Sequence, residues 1–408
     1  MKVTIKLCAT MVTLLLVVAT LVSGCGQTQS SSPAASPASP KASSSAPASS
    51  APASAAKLSG TIKVGSAFSL SGPWATSSRM YNVALEMAVE DINKSGLLDD
   101  AKIELIQADT VDTNEAAINA FQKLIKTDKV IAIFGPAASS QAMATDPLAQ
   151  QAKVLVFAPN PLPDVPAIGD HIFATLAMYG DMIPGALKQL VPARGIKSVA
   201  IVTQKDFPLG VANTVVRREE FKKLGVQIVV DEERLAGDTD FTSLITKIMN
   251  AKPDMVAVDG LPPGETLLIK QLKTAGFKGT IWGATGTATN ASVKADPQTF
   301  EGVFNLTGWF PGLPGESDKT KEFVKRFSDK MQQLPDQYPI AQYDNLWMLA
   351  NAIKKAGKTN DVQAIRTTLT TTEIDGLQGK LKFNEKRVQD HPSVLIEAKG
   401  GVYVLGKP

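Results

Sequence analysis

From Thr61 onward, short apolar runs alternate with stretches whose apolar residues recur at helical spacing. Residues 61–68 alternate and then turn apolar, as an opening strand does, and Ser69-Leu70-Ser71-Gly72-Pro73 breaks the run. The following segment carries Leu85, Ala88, Val89 and Ile92 on one helical face and ends near Gly96. A strand over 102–108, a helix over 114–126 and a strand over 129–134 complete a βαβαβ pattern, and 154–157 adds a further strand. A second series begins after Ile172-Phe173-Ala174. It predicts helices over 182–190, 213–224 and 265–275, and strands over 198–202, 227–230, 255–258 and 280–283. Within it, Asp240 is placed to cap a helix whose inner face is Phe241, Leu244, Ile245 and Ile248. Two βα series of similar length imply two doubly wound α/β lobes with parallel central sheets. The remainder predicts helices near 319–331 and 341–356 and short strands near 381–383 and 402–404, without showing which lobe each joins.

The sequence Val130-Ile131-Ala132-Ile133-Phe134-Gly135-Pro136-Ala137-Ala138-Ser139-Ser140 stands out within this alternation. Its apolar half reads as a buried parallel strand, and residues 141–152 read as a helix, so Ser139 and Ser140 fall where that helix begins. A helix start offers free N–H groups and a favourable dipole to an anion, and ligands of open α/β sheets bind at the carboxyl ends of the strands. The same two serines could equally serve as caps of their helix.

Length and charge narrow the picture further. At 408 residues, 44% hydrophobic and 20% charged, the chain has the balance of a globular protein with more than one lobe. A net charge of +3, 6% aromatics and no basic stripe argue against nucleic acid as a partner. No G-x-S-x-G, P-loop, G-x-G-x-x-G or C-x-x-C motif is present, and His171 and His391 stand alone, so no enzyme and no cofactor is expected. Asp109, Asp112 and Asp128 lack the spacing of a calcium loop and read as turn and cap residues, so no metal site is expected either.

The amino terminus places Lys2 and Lys6 before an apolar run over 11–22 that ends in Val22-Ser23-Gly24-Cys25. This is a signal-peptide pattern, with a transmembrane anchor as the alternative, and Leu-Val-Ser-Gly-Cys resembles a bacterial lipobox in which Cys25 is acylated. A Ser/Ala/Pro tract follows instead of a stop-transfer cluster, which favours residues 1–24 as signal peptide and 25–57 as acylated cysteine and tether. With Cys8 removed, no disulfide is available to the mature chain, and its stability must come from packed cores.

Taken in order, Phe68-Ser69-Leu70-Ser71-Gly72-Pro73, Ala88-Val89-Glu90-Asp91-Ile92-Asn93, Gly135-Pro136 to Ser140, Gly237-Asp238-Thr239-Asp240-Phe241 and Tyr343-Asp344 resemble the type I periplasmic binding proteins of the branched-chain amino-acid group, solute receptors of ABC importers. The resemblance spans nearly everything from Leu58 to the carboxyl terminus. It implies two lobes joined by three crossovers: 58–176 plus about 309–376 as lobe 1, and 177–308 plus about 377–408 as lobe 2. It also implies an extracytoplasmic, lipid-anchored monomer that presents its closed form to a permease and its ATPase, or, in a rival reading, to a chemoreceptor or kinase.

In amino-acid-binding relatives, the serine matching Ser139 holds the ligand carboxylate together with nearby N–H groups. The relatives' Ala-Ala-Thr falls here on Asn160-Pro161-Leu162, and the lobe-2 carboxylate that pairs with the ligand ammonium falls on Thr285. Leu162 has no acceptor and Thr285 only a neutral hydroxyl, so at these departures from the family pattern a small acid without an α-ammonium, aromatic or branched, is expected, with an aliphatic amino acid as the alternative. Trp74, Tyr179 and Phe207 are expected as apolar walls, and Ser77, Ser140 and Leu261 complete the residues assigned to the cleft.

Overall fold

The computed structural model describes residues 57–72, 74–284 and 287–407. Cys25, the apolar run over 11–22, the tether through residue 56 and Thr285 lie outside the described residues.

The first βα series forms β1 (Thr61–Phe68), β2 (Lys102–Asp109), β3 (Ala132–Phe134), β4 (Leu155–Ala158) and β5 (Ile172–Ala174), an all-parallel sheet of order β2-β1-β3-β4-β5. Its crossovers are α1 (Ala75–Ser95), α2 (Asn114–Lys123, continued by a π turn over Leu124–Asp128), α3 (Ser139–Ala152) and α4 (Asp164–Ala167). Parallel strands need such crossovers, and helices on both faces bury β3 and β4 throughout, so both read as unbroken apolar runs. Phe134, Phe157 and Phe173 fall side by side on β3, β4 and β5, their rings 4.7 and 6.0 Å apart centroid to centroid.

The second series forms α5 (Tyr179–Ala193), β6 (Ser198–Gln204), α6 (Pro208–Lys223), β7 (Gln227–Arg234), α7 (Thr242–Ala251), β8 (Met255–Asp259), α8 (Gly264–Thr274), β9 (Thr280–Trp282), α9 (Asn290–Ala295), α10 (Pro297–Phe300) and β10 (Val303–Thr307). The strand β10 is hidden in the sequence by Asn305 and Thr307. Both are buried, and Asn305 is satisfied by the Ala284 carbonyl at 2.7 Å. Asp240 accepts a hydrogen bond from the Thr242 N–H at 2.9 Å, at the start of α7.

The chain then forms α11 (Asp318–Met331), α12 (Gln337–Ala356), α13 (Val362–Leu369), the hairpin β11 (Glu373–Gly376) and β12 (Gly379–Lys382), and lastly β13 (Val394–Lys399) and β14 (Val402–Leu405). The second sheet has the order β14-β13-β10-β9-β8-β6-β7, parallel from β10 to β7, with β13 antiparallel to both β10 and β14. The helix α12 starts four residues before the expected 341. Asp336 caps it by accepting the Tyr338 N–H, and Pro339 is tolerated in a first turn that needs no N–H partner.

The assignment of 377–408 to the second lobe is corrected in part. Leu381 and Phe383 pack in the core of the first sheet, with Phe383 edge-on to Phe173 at 4.9 Å, and only β13 and β14 pair with the second sheet. Three chain passages connect the sheets: β5 into α5, β10 into α11, and the segment from β12 to β13. The third is tied to the first, since Ala174 donates its N–H to Arg387 and accepts one from Gln389.

Candidate functional site

In each sheet the strand order reverses at one point, and the turns beyond that point leave room for a ligand. In the first sheet the reversal lies between β1 and β3, in the second between β6 and β8. The turns after these strands line one cavity of about 140 Å³: Phe68, Ser69 and Trp74 after β1, Ala137 to Gln141 after β3, Phe207 and Leu209 after β6, and Leu261 after β8. Its size is close to the roughly 150 Å³ of a cavity known to hold benzene. Phe68, Tyr81 and Tyr338 supply aromatic surface, with Tyr81 edge-on to Phe68 at 5.2 Å and stacked on Tyr338 at 5.5 Å. Burial raises the pKa of both tyrosines, so their phenols stay protonated.

The turn after β3 depends on Gly135, whose φ is +107° and where a Cβ would lie 2.4 Å from the Ala67 carbonyl oxygen. This close approach brings the start of α3 against β1. Ala138 is the N-cap and no side chain caps the helix, so the capping role for Ser139 and Ser140 does not hold. Ser139 is instead 2% exposed, lines the cavity, and its Oγ has no hydrogen-bond partner. Beside it, Asn160 donates from Nδ2 to the Ala137 carbonyl, while its buried Oδ1 has no partner. A hydroxyl donor and an amide acceptor thus face the cavity next to the first N–H groups of α3, which a helix leaves unpaired.

Of the residues assigned from the sequence, Trp74, Ser139, Ser140, Asn160, Phe207 and Leu261 line this cavity. Three do not and are corrected. On α1 Ser78 lines the cavity, with Tyr81 further along the helix, in place of Ser77, because one position turns a helix by about 100°. Leu162 is 1% exposed inside the apolar core. Tyr179 is buried at the start of α5, where its hydroxyl donates to the Leu306 carbonyl, and so it ties the first crossover to β10. Cys25 and Thr285 lie outside the described residues.

Besides Ser78, the lining residues that sequence reasoning missed are Phe68, Ser69, Tyr81, Asp112, Ala137, Ala138, Gln141, Pro161, Leu209, Thr289 and Tyr338. Gln141, one residue past the serine pair, had a local signal, as did Pro161 within the Pro-rich loop. Tyr338 had none, since it comes from α12, far along the chain. The two histidines stay out of the cavity. His171 Nδ1 pairs with Asp170 at 2.7 Å, and burial lowers His391 to about 4. Among the described residues no group of His, Cys, Asp and Glu is arranged to hold a metal, and no helix is long and apolar enough to cross a membrane.

Behind the second-sheet wall lies a polar network. Arg217 and Asp259 are wholly buried and paired at 2.5 Å, with Asn213 and Thr214 also donating to Asp259. Glu265 Oε1 accepts from the Ala284 N–H and from Thr287, and burial raises this acid to about 7.

The periplasmic binding protein family model matches residues 61–401. A curated relative from Pseudomonas aeruginosa, a leucine-, isoleucine-, valine-, threonine- and alanine-binding protein, is 27% identical over 80% of this chain and 86% of its own. The isoleucine complex of a branched-chain amino acid transporter substrate-binding protein from Streptococcus pneumoniae superposes with a TM-score of 0.76 at 25% identity, over 86% of this chain and 100% of its own. A solute-binding protein of an ABC transporter from R. palustris, in complex with benzoate, gives 0.74 at 23% identity, over 85% of this chain and 95% of its own.

Proposed function

The chain belongs to the periplasmic binding protein family, in its branched-chain amino-acid group, and from that premise we propose that it is the solute-binding component of an ABC importer whose ligand is a small carboxylate with an aromatic or branched body. The observation that carries the ligand class is the buried, unpartnered Ser139 Oγ at the start of α3. An unsatisfied buried hydroxyl costs about 1–3 kcal/mol unless a ligand supplies the partner, and the adjoining helix start favours an anion. Phe68, Tyr81 and Tyr338 suit a ring or branched chain. The benzoate-bound R. palustris protein provides a precedent for such a ligand on this fold.

A second reading, an aliphatic amino acid, is favoured by Asn160 Oδ1, which is buried without a partner beside Ser139 and could accept from an α-ammonium. The binding specificity named for the P. aeruginosa relative agrees with it. Calorimetric titration with leucine, valine and phenylalanine beside their 2-oxo acids and benzoate separates the two readings. Tight binding of the acids supports the first, and submicromolar leucine binding with no response to any acid lacking an ammonium overturns it. In a thermal-shift screen, a ligand at about 100 times its dissociation constant adds roughly 2.7 kcal/mol to the stability, a readily detected shift.

Closure is the hinge motion this reading requires, with the sheets moving as lobes about the three crossovers. A ligand favours the closed form only through contacts made to both lobes. On this proposal Cys25 is acylated and the Ser/Ala/Pro tract tethers the receptor outside the cytoplasm. Cys25→Ala then leaves a protein that folds and binds but no longer partitions with membrane. Mass spectrometry that finds any mature amino terminus other than a lipid-modified Cys25 refutes the anchor.

A further inference from the structure

We propose that Asp112 selects among carboxylates by accepting a hydrogen bond from a donor, a hydroxyl or an ammonium, at the end of the ligand far from its carboxylate. This rests on the carboxylate reading above. Asp112 is the one ionisable acid among the described lining residues, and no basic residue lines the cavity with it.

Its backbone is held there against its own preference. Val111 and Asp112 have φ of +45° and +53°, a region that non-glycine residues rarely occupy and that disfavours a β-branched valine most. The surrounding turns supply the compensation. Asp109 Oδ1 accepts the N–H groups of Leu70 and Val111, both at 2.8 Å, and Ser69 Oγ accepts the Asp112 N–H at 3.2 Å. Thr110 bonds Ser69 at 2.9 Å and Gln141 at 3.3 Å, which ties the turns after β1, β2 and β3 into one frame. Asp112 itself accepts the Trp74 N–H through Oδ2 at 3.3 Å. A carboxylate offers about four acceptor sites, so one bond of this length leaves capacity for a ligand.

Position decides which donor Asp112 can serve. It follows β2, Ser139 follows β3, and β1 runs between them. At about 4.8 Å per strand the two turns are set roughly 10 Å apart along the row. An α-ammonium is only two bonds from its carboxyl carbon and stays at the Ser139 end. A donor across a ring from the carboxylate faces Asp112 instead.

The test is calorimetric titration of the purified protein with benzoate, 4-hydroxybenzoate and 4-(aminomethyl)benzoate, repeated for Asp112→Asn and Asp112→Ala with melting curves for each. Asp112→Asn retains an acceptor for the Trp74 N–H and guards against loss of fold. The expected result is that one or both donor-bearing acids bind about tenfold or more tightly than benzoate, that this preference shrinks to about twofold or less in Asp112→Ala, and that it is weakened in Asp112→Asn, whose neutral amide oxygen is a poorer acceptor than a carboxylate. Which of the two acids gains identifies the donor as hydroxyl or ammonium. Equal binding of all three acids, or a preference that survives in Asp112→Ala, overturns the role of Asp112 while leaving the carboxylate reading intact. Failure of all three to bind while leucine binds overturns the carboxylate reading and this inference with it.

Discussion

The first-sheet side of the cavity offers Ser69, Ser78, Asp112, Ser139, Ser140, Gln141 and Asn160, whereas the described residues of the second-sheet side offer Phe207, Leu209, Leu261 and Thr289. The second sheet does not lack polar groups. Arg217, Asp259, Glu265, Asn305 and Tyr403 are buried behind its wall and bonded to one another's neighbourhoods, with Asn305 within 3.5 Å of the Tyr403 hydroxyl. One wall therefore carries most of the donors and acceptors, which are directional, while the described residues of the other, Thr289 apart, are apolar and offer shape and area. On the reading proposed above, the first lobe would set the ligand's chemistry, and the second would determine how much is gained by closing over it.

Four outcomes bear on that division. Arg217→Met leaves Asp259 buried without its cation, which should destabilise the protein by about 3–5 kcal/mol, read as a large fall in Tm with the order of ligand preference unchanged. A small fall in Tm with altered ligand preference would instead put the second-sheet network in recognition. Ser139→Ala should weaken binding of a carboxylate by about 1–3 kcal/mol and leave Tm nearly untouched, because its hydroxyl has no partner within the protein to lose. If melting drops sharply while affinity holds, Ser139 is only a structural residue. Leu261→Ala should cost about 1–2 kcal/mol of affinity for every ligand alike, in proportion to apolar area lost. A loss confined to ligands of one polar pattern would contradict an apolar role for Leu261.

The last outcome concerns pH dependence. Burial raises Glu265 from 4.5 to about 7, so the folded state holds its proton more tightly than the unfolded state. The stability this contributes is complete below pH 4.5 and is lost as the pH rises through about 7. Glu265→Gln should therefore flatten the decline in Tm between pH 5 and 7 relative to the parent, measured by calorimetry at a series of pH values. An unchanged slope means that Glu265 titrates at its ordinary value.

The residues legible in the sequence were those whose role is set by neighbours along the chain. Gly135-Pro136 followed by Ser139 marks a strand end and a helix start within a few residues, and that turn does face the cavity. Ser77 failed because assigning a helical residue to a cavity requires its rotation about the axis, and Ser78, one residue on, is the one that points inward. Leu162 and Tyr179 failed for another reason. Alignment to a family pattern locates a position along the chain, but the turns carrying these two fold into the core between the sheets. Asp112 was read correctly as a turn residue and missed as a lining residue, because its exposure to the cavity depends on how three separate turns are bonded together.

Strand and helix alternation, the two doubly wound sheets and the helix start after β3 were determined by the sequence itself, since periodicity, turn chemistry and helix starts act over a few residues. Other features were decided only by tertiary structure. They include the aromatic floor that joins Phe68 and Tyr81 to Tyr338 and the first-sheet core that takes in Phe383. They also include the burial that raises Glu265 and leaves Ser139 without a partner. The physical reason is common to all of them. Burial, desolvation and ring contact depend on which surfaces meet in space, and here those surfaces come from segments separated by many residues and brought together by the crossovers.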